Sequence, residues 1–361
     1  MTSDLKAYLV GPGETELGCS SLAPTLSFFV DQLGFRVETI FPAEEPKVAS
    51  LYGHGLRIRL APGGDPGVIR LTCRGLPAGA PRTLTAPNGT RIALLDETPS
   101  LDIPPLRPEF ILTRRGEGPA EGVGRAGMIY RDLIPGRLGG RFIASHILLP
   151  EGGPVADWVH YHKIRFQMIF CRKGWARLVY EDQGPPFIMA AGDCVLQPPQ
   201  IRHRVLESSA AFEVVELGCP ALHETLADHE MSLPNGRLAP ERDFGGQRFL
   251  HHIAAEAPWV THGESGFERR DTGMAAATSG LADAFVLRPA KTRRLAWPAQ
   301  GGELLFGFVL EGAGVLQHQG DHPLGPADAF VIPPDADWAF AAADEDVSLL
   351  IATLPGVRPP L

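Results

Sequence analysis

His160-Tyr161-His162, four further residues, Gln167, six more and Gly174 make up one half of the stretch that decides the fold. The other half is Gly192-Asp193 followed by Pro198-Pro199-Gln200-Ile201-Arg202-His203. In a strand successive side chains alternate, so His-x-His sends both imidazoles to one face. Gln167 starts the next run after a gap long enough for a turn or bulge. Gly174 supplies the tight turn into a strand over 176–181. A turn at 182–186 leads to a strand over 187–190, and Gly192-Asp193 to another over 194–196. Pro198-Pro199 then makes a rigid corner that returns His203 to the first pair. Three imidazoles and an amide thereby converge. Neutral imidazole suits Zn, Fe, Ni, Cu and Mn, with geometry and availability deciding among them.

These two blocks resemble the paired motifs of the cupin superfamily. Carried over residue by residue, His160, His162 and His203 match the three histidine ligands, Gln167 falls where glutamate is usual, and Pro198 matches the motif proline. Six residues separate Gly153 from His160, one more than the pattern has; Gln200 replaces a glycine and Glu207 an asparagine. The resemblance implies one divalent metal ion per chain on His160, His162 and His203, with Gln167 a weaker ligand or a hydrogen-bond donor beside it. An amide leaves the ion its full charge where a carboxylate would cancel part of it, which strengthens Lewis-acid polarisation. Cupins with three histidines and no acidic ligand include gentisate-type and diketone-cleaving dioxygenases, whereas others with glutamine there resemble cyclases and lyases. Both groups stay open at this point.

Composition bounds the remainder. The chain has 361 residues, 44% of them apolar, with 41 glycines and 34 prolines. This suits two or three domains with packed cores, many turns and short strands. A net charge of −9, with no basic stretch interleaved with aromatics, argues against nucleic acid as a partner. Cys19, Cys73, Cys171, Cys194 and Cys219 are odd in number and far apart, which indicates a reducing compartment without a disulfide framework. The opening Met1-Thr2-Ser3-Asp4-Leu5-Lys6 has no apolar signal core and no run of 18 apolar residues occurs, so the expectation is a soluble cytoplasmic protein with no membrane association.

Residues 1–100 read as a separate module. Leu22, Leu26, Phe29, Val30 and Leu33 lie at helical spacing, Gly34 stops the helix, and strands are expected over 35–41, 47–52, 56–60 and 68–73, with a Pro87-Asn88-Gly89 turn feeding another. The Phe28-Phe29-Val30-Asp31-Gln32-Leu33-Gly34-Phe35 and Pro87-Asn88-Gly89 runs resemble the glyoxalase/vicinal-oxygen-chelate family, truncated and without its metal residues. This module is read as structural or as an oligomerisation surface, and a homodimer is expected. Residues 101–125 read as a linker, with a strand near 109–112. A metal-bearing barrel is expected over 126–222, a polar connector over 223–244, and a second barrel over 245–361. In the second barrel Leu305 stands at the place of Gln167 and Trp338 at that of His203, while Trp297-Pro298-Ala299 occupies the His-x-His region. The fold class expected is therefore mainly β, two jelly-roll barrels (a bicupin) after a small α+β domain.

His146, on an expected strand over 142–149, is the candidate catalytic residue. It is a proton shuttle if it faces the cavity and an ordinary core histidine if it does not. Cys171 and Cys194 are expected to point inward. His223 and His229 are read as solvated, or as part of a lid. The functional expectation is a metal enzyme acting on a small oxygenated molecule, with oxidative cleavage of a phenolic or dicarbonyl compound by a ferrous centre as the leading version. The rivals are a non-redox lyase, isomerase or cyclase using Zn, Mn or Ni, with His146 or Glu213 as base, and a non-catalytic ligand-binding barrel.

Overall fold

A computed structural model describes Leu9 and residues 11–97, 100–117, 122–299 and 301–355. The readings made on Met1–Lys6 and on Gly118-Pro119 lie outside the described residues. With 45% of the chain in strands and 6% in helices, the architecture is mainly β. The chain divides into two compact units, Met1–Ser100 and Leu101–Leu361. Among the described residues no helix is long and apolar enough to cross a membrane.

In the first unit, strand Thr15–Gly18 leads to helix Leu22–Ser27, which ends in a π-helical turn Phe28–Gln32. Gly34, at φ 74°, takes the left-handed conformation that stops it. Arg36–Phe41, Val48–Gly53 and Leu56–Ala61 follow as an antiparallel meander, and Thr15–Gly18 pairs in parallel with Leu56–Ala61. A smaller sheet sets Val68–Cys73 parallel to Arg91–Asp96, with Thr83–Thr85 on the other side of Arg91–Asp96. Phe28, Phe29, Phe35, Leu51, Ile58 and Ile92 share one core. In the Pro87-Asn88-Gly89 turn, Asn88 donates through Nδ2 to the Gly18 carbonyl at 2.8 Å, tying the two sheets together.

The second unit contains two pairs of sheets. In the first pair a seven-stranded sheet includes Ile143–Leu149, Phe166–Lys173, Cys194–Leu196 and Phe212–Cys219. It faces a six-stranded sheet containing His160–His162, Trp175–Tyr180, Phe187–Ala190 and His203–Ser208. Between them lies an apolar interior that includes Ile147, Leu178, Met189, Val195, Phe212 and Val214. In the second pair a seven-stranded sheet with Asp283–Pro289, Leu304–Glu311 and Ser348–Leu354 faces a four-stranded sheet. Its interior is filled by Phe285, Leu316, Phe330, Phe340 and stacked Trp297 and Trp338, whose centroids are 5.4 Å apart. Trp297 stands opposite Trp338 in register, as His160 stands opposite His203 in the first pair.

The outer faces of the two seven-stranded sheets pack on each other. Phe166, Met168, Phe170, Val215 and Leu217 from one share a core with Phe306, Phe308, Leu350 and Ala352 from the other. These strands are therefore apolar on both faces. Arg141 and Arg165 reach across this junction to Glu303, at 2.6 and 2.8 Å.

Three strand pairings cross the expected limits. Within the stretch read as a linker, Ile111–Thr113 is a strand on the edge of the second barrel, pairing with Ala329–Ile332. Within the expected connector, Thr225–Ala227 pairs with His160–His162. Leu250–His252, expected in the second barrel, pairs instead with Cys194–Leu196 of the first. Both seven-stranded sheets thus gain an edge strand from segments outside the expected barrel limits, because a short strand joins whichever open edge lies within reach.

Gly174 does make the expected tight turn. Its φ is +77°, and a Cβ there would lie 2.3 Å from Ser209 Oγ, the atom that accepts the Trp175 amide at 3.0 Å. The Gly174→Ala variant is expected to lose about 1–3 kcal/mol of stability from left-handed strain and the displaced contact. A urea midpoint equal to that of the parent would show that the turn relaxes without cost.

Candidate metal centre

Strand alternation places His160 and His162 on the interior face and Tyr161 on the other, under the guanidinium of Arg202 at 4.1 Å. His160 is directly opposite His203, and their ring centroids are 4.2 Å apart. His162 lies 5.3 Å from His160 and 5.4 Å from His203 by the same measure. All three are buried, at 1%, 9% and 5% exposure, and one nitrogen of each lies within 4.8 Å of the others. Among the described residues this is the one such cluster of histidine, cysteine and carboxylate groups.

The backbone sets the tautomers of His160 and His203. His160 Nδ1 is 2.8 Å from the Trp158 carbonyl and His203 Nδ1 is 3.0 Å from the Ile201 carbonyl. A carbonyl only accepts, so both Nδ1 atoms carry the proton and both Nε2 atoms present a lone pair. His162 Nδ1 is 3.2 Å from Thr225 Oγ1. The buried Asp157 carboxylate, held by the amides of Trp158 and Val205 at 2.9 and 3.0 Å, lies 3.6 Å from His160 Nδ1. Neutral imidazoles oriented through their second nitrogen are the donor set a divalent ion requires.

Gln167 is 2% exposed. Its Nε2 donates to Glu216 Oε1 at 2.8 Å, and its Oε1 is buried with no hydrogen-bond partner among the described residues. A lone acceptor of this kind is costly when buried. Its lining of the histidine cavity fits an ion accepting the amide oxygen as a further ligand. Glu216 also lines this cavity and is not singled out by the sequence.

The cavity is about 470 Å³ in volume, walled by Met128, Ile147, Leu149, Tyr180 and Val214, with the triad on one side. His223, expected to be solvated or on a lid, also lines it, with its ring 5.3 Å from His162 and its Nδ1 3.1 Å from the Pro220 carbonyl.

His146 does not face the cavity. Ile143, Ser145, Ile147 and Leu149 of its strand do, so alternation turns His146 toward the other barrel, 5.7 Å from the Phe308 ring. There His146 Nε2 donates to Glu213 Oε2 at 3.0 Å, and Arg131 approaches Nδ1 at 3.5 Å. Glu213, the other candidate base, belongs to the same junction. Arg172 and His146 hold its carboxyl below the usual range, although burial alone would raise it. Cys171 lies inside the barrel as expected, but Cys194 faces the inter-barrel core. Burial pushes the Cys171 thiol up to about 12 and raises that of Cys194 further, so neither is a thiolate at neutral pH.

Burial, helped by Arg131, lowers His146 to about 4, against the opposing effect of Glu213. The unfolded chain takes up this proton near pH 6.5, and the folded one only near 4. The contribution of His146 to stability is therefore fully present above about pH 6.5 and is lost as pH falls toward about 4, by roughly 2–3 kcal/mol. The His146→Gln variant is expected to flatten the urea midpoint against pH in that window. An unchanged slope would place the titration elsewhere.

No protein-family model matches the chain, and no curated protein does. Solved structures do. Salicylate 1,2-dioxygenase from Pseudaminobacter salicylatoxidans superposes with a TM-score of 0.52 at 15% identity, covering 71% of this chain and 87% of that one. The chain has the cupin fold. A mutant of that enzyme in complex with gentisate gives 0.51 at 16% identity, covering 70% and 84%. The protein Ylba from E. coli gives 0.50 at 12% identity, covering 69% and 91%. At such identities the likeness concerns the cupin fold alone.

Proposed function

We propose that this protein is a mononuclear metal-dependent cupin dioxygenase that cleaves a small phenolic or dicarbonyl compound, with ferrous iron as the metal. The observation that carries the reading is the buried triad of His160, His162 and His203, the first and last with tautomers fixed for ligation, beside a mainly apolar cavity of about 470 Å³. When bound, iron would supply the redox partner for dioxygen and a Lewis acid for the oxygens of a chelating substrate. The three histidines would hold it, with the carbonyl oxygen of Gln167 as a weaker donor. The Glu216 carboxylate, fixed beside Gln167, is the group placed to take a proton from a substrate hydroxyl. The apolar wall excludes water from the reacting end. The likeness to the salicylate enzyme agrees with this reading at the level of fold.

Glu216 also favours a second reading, a lyase, isomerase or cyclase with Zn, Mn or Ni, because it provides the base that such chemistry needs. We also propose that the two barrels form a bicupin and that residues 1–100 are a vicinal-oxygen-chelate-like domain. Five free cysteines support a reducing, cytoplasmic location. We propose a homodimer with the first unit as its contact surface, on the strength of exposed Val37, Ile40 and Phe41.

Elemental analysis followed by oxygen-electrode assays tests this. The expected result is about one iron per chain and oxygen uptake with a catechol, gentisate-like or diketone substrate. Iron-loaded protein that consumes no oxygen across that panel, yet turns substrate over anaerobically with zinc or manganese, would replace the first reading with the second.

A further inference from the structure

The second unit holds another cleft, of about 450 Å³, that shares no lining residue with the triad's cavity. Phe170 and Arg172 line it from the first barrel, and Arg270, Arg288 and Leu310 from the second. Strand pairing brings Arg270 there. It stands opposite Val286, a residue of the core between the barrels, so strand Phe267–Asp271 turns it toward that junction. Its neighbour Arg269 turns the other way and lies over Phe285 inside the second barrel.

The three arginines of the cleft differ in what they touch. Arg172 is held by Glu213, and Arg288 donates to Glu268 at 2.7 Å. Arg270 has the Trp259 ring, with 4.4 Å between its Cζ and the ring centroid, but no hydrogen bond or ion pair among the described residues. Its Nε is buried without a partner. Arg288 lies on the same ring at 4.0 Å. Burial, and then the Arg288 charge, pull the Arg270 guanidinium below its usual range, and no carboxylate opposes them. Carboxylates do line the cleft, at its other end. Glu311 is on the strand three places across the sheet, roughly 14 Å away at ordinary strand spacing. Glu345 and Asp346 precede strand Ser348–Leu354, two places across, and Glu345 pairs with Arg293 at 2.8 Å. The floor is apolar, formed by Phe170, Val286 and Leu310.

We propose that this cleft is a second ligand site and that it takes a small monocarboxylate, with the carboxylate on Arg270 and an apolar body on Phe170, Val286 and Leu310. One unpaired guanidinium calls for one negative charge, and its forked N–H groups match the two oxygens of a carboxylate. A longer polyanion would run into Glu311 and Asp346. An apolar body instead covers a floor that is already apolar. The site does not depend on the metal-site reading.

Hexanoate, titrated calorimetrically into the full-length protein, is the probe. It is expected to bind with a Kd of about 0.1–1 mM. Acetate, which lacks the apolar body, should bind at least about tenfold more weakly, and so should uncharged hexanamide. Arg270→Gln should abolish hexanoate binding, whereas His162→Ala should leave it unchanged, which separates this cleft from the triad. Glu268→Gln frees the Arg288 guanidinium and should tighten hexanoate binding several-fold, a gain that structural damage does not produce. Absence of hexanoate binding at about 10 mM, hexanamide as tight as hexanoate, or undiminished binding by Arg270→Gln would each overturn the proposal.

Discussion

Purified His162→Ala protein is expected to retain less than about a tenth of the parent's metal after dialysis against a weak chelator, whereas Gln167→Ala retains most of it. Removing an outer partner of a ligand already costs on the order of 10–100-fold in affinity, and removing the ligand costs at least the upper end of that range. His162 contributes one of three imidazoles whose nitrogens share a space of one coordination sphere, and neither remaining histidine can supply a second donor to the same ion. Gln167 is different. Its oxygen is a neutral and weaker donor, and its loss leaves the imidazoles in place. The substitution at 162 is at the end of a three-residue strand, so circular dichroism should stay native-like. Full metal content in His162→Ala would put the ion elsewhere and end the assignment of the triad.

The second large effect concerns the junction between the barrels. Glu213→Ala is expected to lower stability by about 3 kcal/mol while leaving metal content intact. The carboxylate accepts from both Arg172 and His146. Arg172 and Glu213 are only 13% and 10% exposed, so the variant strands a guanidinium in low dielectric with the Leu310 carbonyl, at 3.4 Å, as a distant acceptor. The double variant Glu213→Ala/Arg172→Met, which removes the stranded charge as well, should recover much of the loss in urea midpoint. A single-variant loss below about 1 kcal/mol would mean that water reaches the pair and screens it.

The same junction explains what the sequence conceals. His-x-His followed by a returning His203 is legible because alternation on a short strand requires no tertiary information. Gln167 follows from its spacing. Glu216 and Glu213 are not separable by such reasoning, because strand Phe212–Cys219 carries Phe212 and Val214 on one face and Val215 and Leu217 on the other. With both faces apolar, alternation still divides the residues into two sets but no longer says which set is inside. His146 stays open in the sequence, and Cys194 is misplaced, for this one reason. The place of His223 and Thr225 beside the triad is missed for another. They lie in a polar segment that forms a three-residue strand, Thr225–Ala227, at the sheet edge, and nothing local announces that the edge it joins carries the triad. Ile111–Thr113 and Leu250–His252 elude assignment to their sheets in the same way.

Those two edge strands bear on how this chain can change. The segment that precedes the first barrel completes the second, and a segment just after the first barrel returns to complete it. Cutting the gene at either expected boundary would therefore produce halves that each lack a border strand and expose a raw hydrogen-bonding edge. Neither barrel is a portable module. Recombination, truncation or grafting would have to move the pair together, and a second barrel without histidines at the triad's place would still be inherited because the one with the triad cannot be closed off without its company.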